Sequence, residues 1–237
     1  RLIVNGEDTA LAEVLAMGCW TPVERFAIDA DAEWQAELVL ADGSEFRLKH
    51  HGRILGTVRW GLLGRHNVMN ALAAFAACHA VGVDVAEIIP SLAHFVSVKR
   101  RMEIIGTARG ITVYDDFAHH PTAIQTTLEG LRAKVDKARI LVAMEPRSNS
   151  MRLGAHSLQI APSLNTADAV VFLQRPELPW DAEAVLSALK GEGRKVATVD
   201  ALIETLRTIV RDGDHIVFMS NGGFEDAPRR CLAALQQ

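Results

Sequence analysis

The chain opens on a continuous apolar run, Leu2-Ile3-Val4, whose pattern predicts a buried strand. A helix is expected from about Thr9 to Met17, with Asp8 or Thr9 as its cap and Gly18 ending it. Strand patterns at Trp34 to Leu40 and Glu45 to Leu48 flank Ala41-Asp42-Gly43-Ser44, a hairpin signal, and Ile54 to Trp60 extends the β pattern. The period then changes. Val68, Leu72, Phe75 and His79 recur at helical spacing over Asn67 to Val81, and Val85, Ile88, Ile89, Leu92 and Phe95 do so over a second helix.

From about Lys99 onward the pattern predicts a strand at Met102 to Thr107, a tight turn at Ala108-Arg109-Gly110 and a strand at Ile111 to Tyr114. Further strands are expected at Arg139 to Met144, Ala169 to Leu173, Lys195 to Thr198 and His215 to Met219. They alternate with helices near Ala123 to Val135, Ala182 to Leu189, Leu202 to Val210 and Glu225 to Leu235. That order describes an α/β protein whose second part is a mostly parallel sheet covered by helices. The change of character at Ser97 to Arg101 divides the chain into domains of residues 1–98 and 99–237.

Composition narrows the function classes. Of 237 residues 49% are hydrophobic, enough for a substantial core, and a formal charge of −4 offers no general attraction to nucleic acid. Cys19, Cys78 and Cys231 are too few and too scattered for a disulfide framework or a thiolate metal site, which fits a reducing, cytoplasmic compartment. The longest small apolar run, Ala71 to Val83, is shorter than the roughly 20 residues that cross a bilayer, so no membrane partner is expected.

Ligands of open α/β sheets bind beyond the carboxyl ends of the strands, which directs attention to four loops. Gly64-Arg65-His66-Asn67-Val68-Met69-Asn70 enters a helix with Asn67 and Asn70 on one face, where two carboxamides can read a base edge and His66 can assist an anion. Alternatively, Asn67 only caps that helix. In Tyr114-Asp115-Asp116-Phe117-Ala118-His119-His120-Pro121, a carboxylate can take both hydroxyls of a ribose and the imidazoles can donate to phosphate or bind a metal. The competing structural reading has Asp115 or Asp116 bonding turn amides and His120 capping the helix. Lys99-Arg100-Arg101-Met102-Glu103 offers three cations, a phosphate seat or a solvated face. Glu145-Pro146-Arg147-Ser148-Asn149 and Ser220-Asn221-Gly222-Gly223 bring polar groups and glycine amides to one sheet edge.

GRHNVMNALAA, RRME, VYDDFAHHPT, MEPRSN and GDHIVFMSNGGF, in this order and spacing, resemble the Mur ligase family over essentially the whole chain. The resemblance implies the C-terminal part of a central ATPase domain followed by a Rossmann-like C-terminal domain. The implied reaction activates a carboxylate with ATP as an acyl phosphate, from which a peptide amine displaces phosphate. The last two segments imply UDP-N-acetylmuramate and the tripeptide L-Ala-γ-D-Glu-meso-diaminopimelate as substrates, in cell-wall peptide recycling; the L-alanine-adding reaction and a non-catalytic nucleotide- or peptide-binding module are the alternatives. By resemblance, Asn67, Asn70, Arg101 and Asp116 contact the nucleotide, and His66, Arg101 and His119 belong to the catalytic motifs. Arg147, Ser148, Asn149, Asn221, Gly222 and Gly223 are expected to bind the peptide, with Arg147 on a carboxylate. The chain contains no GxxxxGK[ST], since Gly191-Glu192-Gly193-Arg194-Lys195 has the wrong spacing. It is therefore expected to be the C-terminal half of a longer enzyme, inactive alone, with the Mg²⁺ ligands lying elsewhere. A metal-dependent hydrolase built on Asp116, His119 and His120 is the rival reading, although adjacent histidines close poorly on one ion.

Overall fold

A computed structural model describes residues 1–148, 151, 153–154, 157–176 and 178–237. It contains two compact units, Arg1–Val96 and Ser97–Gln237, against an expected division after residue 98.

The first unit runs β1 (Leu2–Asn5), α1 (Thr9–Ala16), β2 (Val23–Ala27), β3 (Trp34–Leu38), β4 (Glu45–His50), β5 (Arg53–Arg59), α2 (Arg65–Ala80) and α3 (Val85–Ala93). Asp8 caps α1 by accepting from the Leu11 amide at 3.0 Å. The sheet order is β1-β2-β3-β4-β5, parallel through β3 and antiparallel beyond it. Trp34, Phe46, Leu48 and Val58 from the strands pack with Val68, Leu72 and Phe75 of α2. Strand β2 is not visible in the hydrophobic pattern because Val23-Glu24-Arg25-Phe26-Ala27 carries two charges in five residues. Glu24 is compensated by its neighbours, meeting Arg1 at 2.9 Å and accepting from Trp34 Nε1 at 3.1 Å, and Arg25 is exposed.

The second unit runs β6 (Glu103–Ala108), β7 (Ile111–Asp116), α4 (Pro121–Val135), β8 (Ile140–Met144), α5 (Ser157–Ser163), β9 (Ala169–Leu173), α6 (Glu183–Ser187), β10 (Glu192–Val196), α7 (Val199–Ile209), β11 (His215–Met219) and α8 (Ala227–Leu235). Its order is β10-β9-β8-β11-β7-β6, with every pairing parallel except the β6–β7 hairpin. Leu141, Ala143, Val171, Ile216 and Phe218 bury one face of the sheet against α7 and α8, while Val142, Val170 and Val217, one residue out of phase, are equally buried on the other. From β8 the chain steps to β9 and β10, then returns with β11 to the opposite side of β8. The carboxyl ends of β8 and β11 therefore flank the point where the strand order reverses.

Several boundaries differ from the expected ones. Strand β10 ends at Val196 instead of Thr198, because the Thr198 hydroxyl caps α7, accepting from the Ala201 amide at 3.2 Å. Helix α5 has no counterpart in the expected elements. The expected last helix begins at Ala227, because Phe224, Glu225 and Asp226 turn with φ of 49°, 50° and 55°. Among the described residues, no helix is long and apolar enough to cross a membrane.

Beneath α2 three imidazoles crowd one tryptophan. His50 stacks on Trp34 with ring centroids 4.0 Å apart, His79 lies 5.0 Å from His50, and His51 lies 4.3 Å from it. Burial lowers the His50 pKa, His51 and His79 lower it further, and Glu24 and Glu33 only partly oppose them. The unfolded chain therefore takes up this proton first on acidification, so stability is lost as pH falls below about 6.5. Thermal unfolding at pH 7.5 and 5.5 should show a drop in Tm for this unit, and His50→Phe, which keeps the stacked ring, should make that drop smaller.

Candidate functional site

In the first unit, Gly64 precedes α2 as its N-cap with φ 91° and ψ 145°, a conformation open to glycine and strained for other residues. The helix consequently starts at Arg65, and Asn67 sits in its first turn instead of capping it. The Asn67 Nδ2 turns back to donate to the Leu63 carbonyl at 2.7 Å, which leaves its Oδ1 to accept. Asn70 is exposed one turn later, and half-buried His66 shares the first turn with Asn67.

In the second unit, the loop before β6 and the loop after β7 are tied into one structure. The Asp116 carboxylate is 3% exposed; its Oδ2 accepts from the Met102 amide and its Oδ1 from the Ala118 amide, each at 2.7 Å. Burial pushes its pKa up, opposed by those two amide bonds. The Phe117 amide donates to the Arg100 carbonyl at 2.8 Å, and the Arg100 amide donates to Glu103 Oε2 at 2.9 Å. Burial likewise raises the Asp115 pKa, although the Arg100 guanidinium lies 3.3 Å away. Arg100 and Met102 both have positive φ, 60° and 49°, so these bonds hold an unfavourable backbone on either side of Arg101. The result is an exposed Arg101 whose guanidinium lies 5.4 Å from the centre of the Phe117 ring, with Arg100 at 5.3 Å from the same ring.

The carboxylate expected to face a ribose thus accepts from one local turn amide, Ala118, and from the distant Met102 amide, each of its oxygens keeping a further lone pair. His120 is the N-cap of α4, its Nδ1 accepting from the Thr122 amide at 3.4 Å, with Pro121 next in the first turn. His119 Nδ1 lies 2.9 Å from the Phe117 carbonyl, so Nδ1 carries the proton and Nε2 is free of it in the neutral ring. Among the described residues no group of three His, Cys, Asp or Glu side chains could hold a metal ion.

A cavity of about 330 Å³ lies at the carboxyl ends of β8, β9 and β11. Glu145, Pro146 and Arg147 line it from beyond β8, Leu173, Arg175 and Leu178 from β9 and its loop, and Glu225 from beyond β11. Glu145 is buried and multiply held: Arg175 Nε donates to its Oε1 at 3.0 Å, Arg175 Nη2 lies 2.9 Å from the same oxygen, and Ser220 Oγ donates to its Oε2 at 2.7 Å. Ser220 Oγ in turn accepts from the Gly222 amide at 3.0 Å. Arg175 Nη2 also donates to Glu225 at 2.6 Å. Burial works against the Arg175 charge, but the bonds from Glu225 and Glu145 outweigh it and raise its pKa. Both acidic residues of the cavity, Glu145 and Glu225, are therefore held by Arg175.

Arg147 is exposed and runs over Gly222: a Cβ there would stand 2.7 Å from its Nε and closer still to its Cδ. Ser148 Oγ accepts from the Met151 amide at 3.3 Å, the Asn221 Oδ1 is buried without a hydrogen-bond partner among the described residues, and Gly223 is exposed. Asn149 lies outside the described residues. Arg175 is absent from the set read in the sequence. It follows an apolar strand into a loop, the same signal that singled out the other segments, but Gln174-Arg175-Pro176 carries one cation and no recognisable cluster.

Residues 100–222 match the family model described as Mur ligase, glutamate ligase domain, and residues 1–78 match the one described as Mur ligase middle domain. Over 236 residues the chain is 42% identical to the UDP-N-acetylmuramate–L-alanyl-γ-D-glutamyl-meso-2,6-diaminoheptandioate ligase of Escherichia coli (strain K12), covering 99% of this chain and 51% of that protein. The like-named ligase of Haemophilus influenzae is 40% identical over 236 residues, covering 99% of this chain and 52% of that one. The chain thus spans about half the length of the curated relatives it matches. The crystal structure of a murein peptide ligase from Psychrobacter arcticus superposes with a TM-score of 0.73 at 40% identity, over 99% of this chain and 51% of that one. A UDP-N-acetylmuramate-alanine ligase from Thermotoga maritima, at 23% identity and TM-score 0.77, shares the fold.

The Asp116 geometry carries its own test. Asp116→Asn points an NH₂ group at one of two backbone N–H donors, and a buried donor left unsatisfied costs about 1–3 kcal/mol. Denaturant unfolding without nucleotide should show a loss of that size in the second unit, whereas a carboxylate reserved for a ribose would leave unliganded stability unchanged.

Proposed function

The chain belongs to the Mur ligase family, and from that membership we propose that it carries the peptide-binding site and part of the nucleotide-binding surface of an ATP-dependent amide ligase. The reaction joins UDP-N-acetylmuramate to L-alanyl-γ-D-glutamyl-meso-diaminopimelate. The observation that carries this reading is the cavity beyond β8, β9 and β11, where Arg147 and Arg175 stand with Glu145 and Glu225 beside Pro146, Leu173 and Leu178. The tripeptide bears several carboxylates, and a guanidinium fork binds such a group bidentately. L-Alanine bears one carboxylate and no second anionic group for the other arginine, so the cavity favours the longer peptide over the alanine-adding alternative.

For the nucleotide, exposed Asn70 in the first unit fits a base edge; in the second unit exposed Arg101 fits a polyphosphate and His119 Nε2 can accept a hydrogen bond. Asp116 serves them by holding the two backbone segments that present Arg101 and His119. ATP, when bound with Mg²⁺, supplies the phosphoryl group that activates the muramate carboxylate. With no GxxxxGK[ST] in its sequence, the 237-residue chain is proposed to bind peptide without turning over ATP.

Calorimetric titration of the tripeptide into the chain checks the reading. Arg147→Lys should weaken binding at least tenfold, about 1.4 kcal/mol, and Gly222→Ala, which displaces the Arg147 side chain, should do the same without changing Tm. L-Alanine should not compete. Wild-type affinity in both variants would remove Arg147 from the site, and competition by L-alanine would favour the alanine-adding reaction.

A further inference from the structure

We propose that Glu225 is a built-in competitor for the peptide site, a carboxylate of the protein that occupies Arg175 until a ligand carboxylate displaces it. The inference rests on the reading that this cavity takes a carboxylate of the incoming peptide.

The two glutamates on Arg175 differ in kind. The Glu145 side chain is 2% exposed and uses the edge of the guanidinium formed by Nε and Nη2, with Ser220 holding its other oxygen. That pair is a fixed part of the cavity wall. The Glu225 side chain is 52% exposed and meets Arg175 through Nη2. Nη2 belongs to both edges at which a guanidinium takes a carboxylate in a two-bond fork, Nε with Nη2 and Nη1 with Nη2. With the first edge committed to Glu145, a ligand carboxylate can reach Arg175 in that geometry only if Glu225 leaves. Glu225 has somewhere to go, since its Oε2 already lies 3.9 Å from Arg230 Nη1, outside the residues that line the cavity.

The backbone points the same way. Glu225 is brought over the cavity by a left-handed turn in which Phe224, Glu225 and Asp226 have φ of 49°, 50° and 55°, a run that L-residues rarely adopt. An unfavourable backbone persists only where surrounding bonds hold it, and the Glu225–Arg175 bond is one of those bonds, so its exchange for a ligand carboxylate removes part of the restraint. Charge completes the picture. Arg147 and Arg175 are balanced by Glu145 and Glu225 in the closed cavity, and withdrawal of Glu225 leaves it one positive charge in excess, which is what an anionic peptide requires.

The experiment titrates L-alanyl-γ-D-glutamyl-meso-diaminopimelate into the 237-residue chain and its variants by calorimetry. Glu225→Gln should tighten binding about tenfold, a direction that structural damage does not produce. Arg175→Lys keeps a cation for Glu145 but loses the second edge, and should weaken binding at least tenfold. In the Arg175→Lys background, Glu225→Gln should bring little gain. Unchanged or weaker binding in Glu225→Gln, with Arg175→Lys still weakened, overturns the competitor role and leaves the cavity as the peptide site. An equal gain from Glu225→Gln with and without Arg175 also overturns it. If neither Arg147→Lys nor Arg175→Lys alters binding, or no form binds the peptide, the cavity is not the peptide site and both readings fall together.

Discussion

A carboxylate taken almost wholly out of water must find its counter-charge and its hydrogen bonds inside the protein, and at Glu145 this requirement organises the ends of three strands. Glu145 leaves β8, Arg175 leaves β9 and Ser220 leaves β11, and each is placed by what the Glu145 oxygens need. Breaking such a pair by removing one partner costs about 3–5 kcal/mol, so the three loops cannot drift independently. This one buried group ties together the loops that supply most of the cavity wall.

The second unit applies the same device twice. Asp116 at the end of β7 does for the Arg101 and His119 loops what Glu145 does for the Arg147 and Arg175 loops: a buried carboxylate spends its acceptors on neighbouring segments, and exposed cations are held out at the rim. In both places unfavourable backbone conformations sit beside the buried acid, at Arg100 and Met102 in one and at Phe224 to Asp226 in the other. Strain of this kind persists only where surrounding bonds over-determine the loop. The buried acids therefore hold the segments that carry the cations.

This division of labour bears on how function is divided over the chain. The two arginines of the cavity are proposed for an anionic peptide, while Arg101 and His119 of the second unit and, separately, Asn70 of the first are proposed for a nucleotide. A ligase of this kind needs both in order to bring an amine to an activated carboxylate, and most of its work is orientation and charge compensation.

The alternation of apolar strands with helical periods from Ile111 onward was sufficient to read a mostly parallel sheet, since a strand buried on both faces has few residues to choose from. Four loops stood out because they concentrate polar residues at strand ends, and the order of their motifs was sufficient to recognise the family. Strand β2, with two charges in five residues, was illegible, because its burial depends on partners that the fold brings from Arg1 and Trp34. The acids show the same limit more sharply. Asp116 reads in sequence as a ligand-facing carboxylate, whereas Glu145 is only one polar group of its loop and Arg175 belongs to no recognisable cluster. Whether a carboxylate faces a ligand or a backbone amide depends on which segments pack beside it, and those segments lie up to 75 residues away in the chain. Residue type determined the chemistry available to this protein; only the tertiary structure decided which charges are used up in holding loops and which remain for a substrate, because pairing and desolvation are properties of neighbours in space.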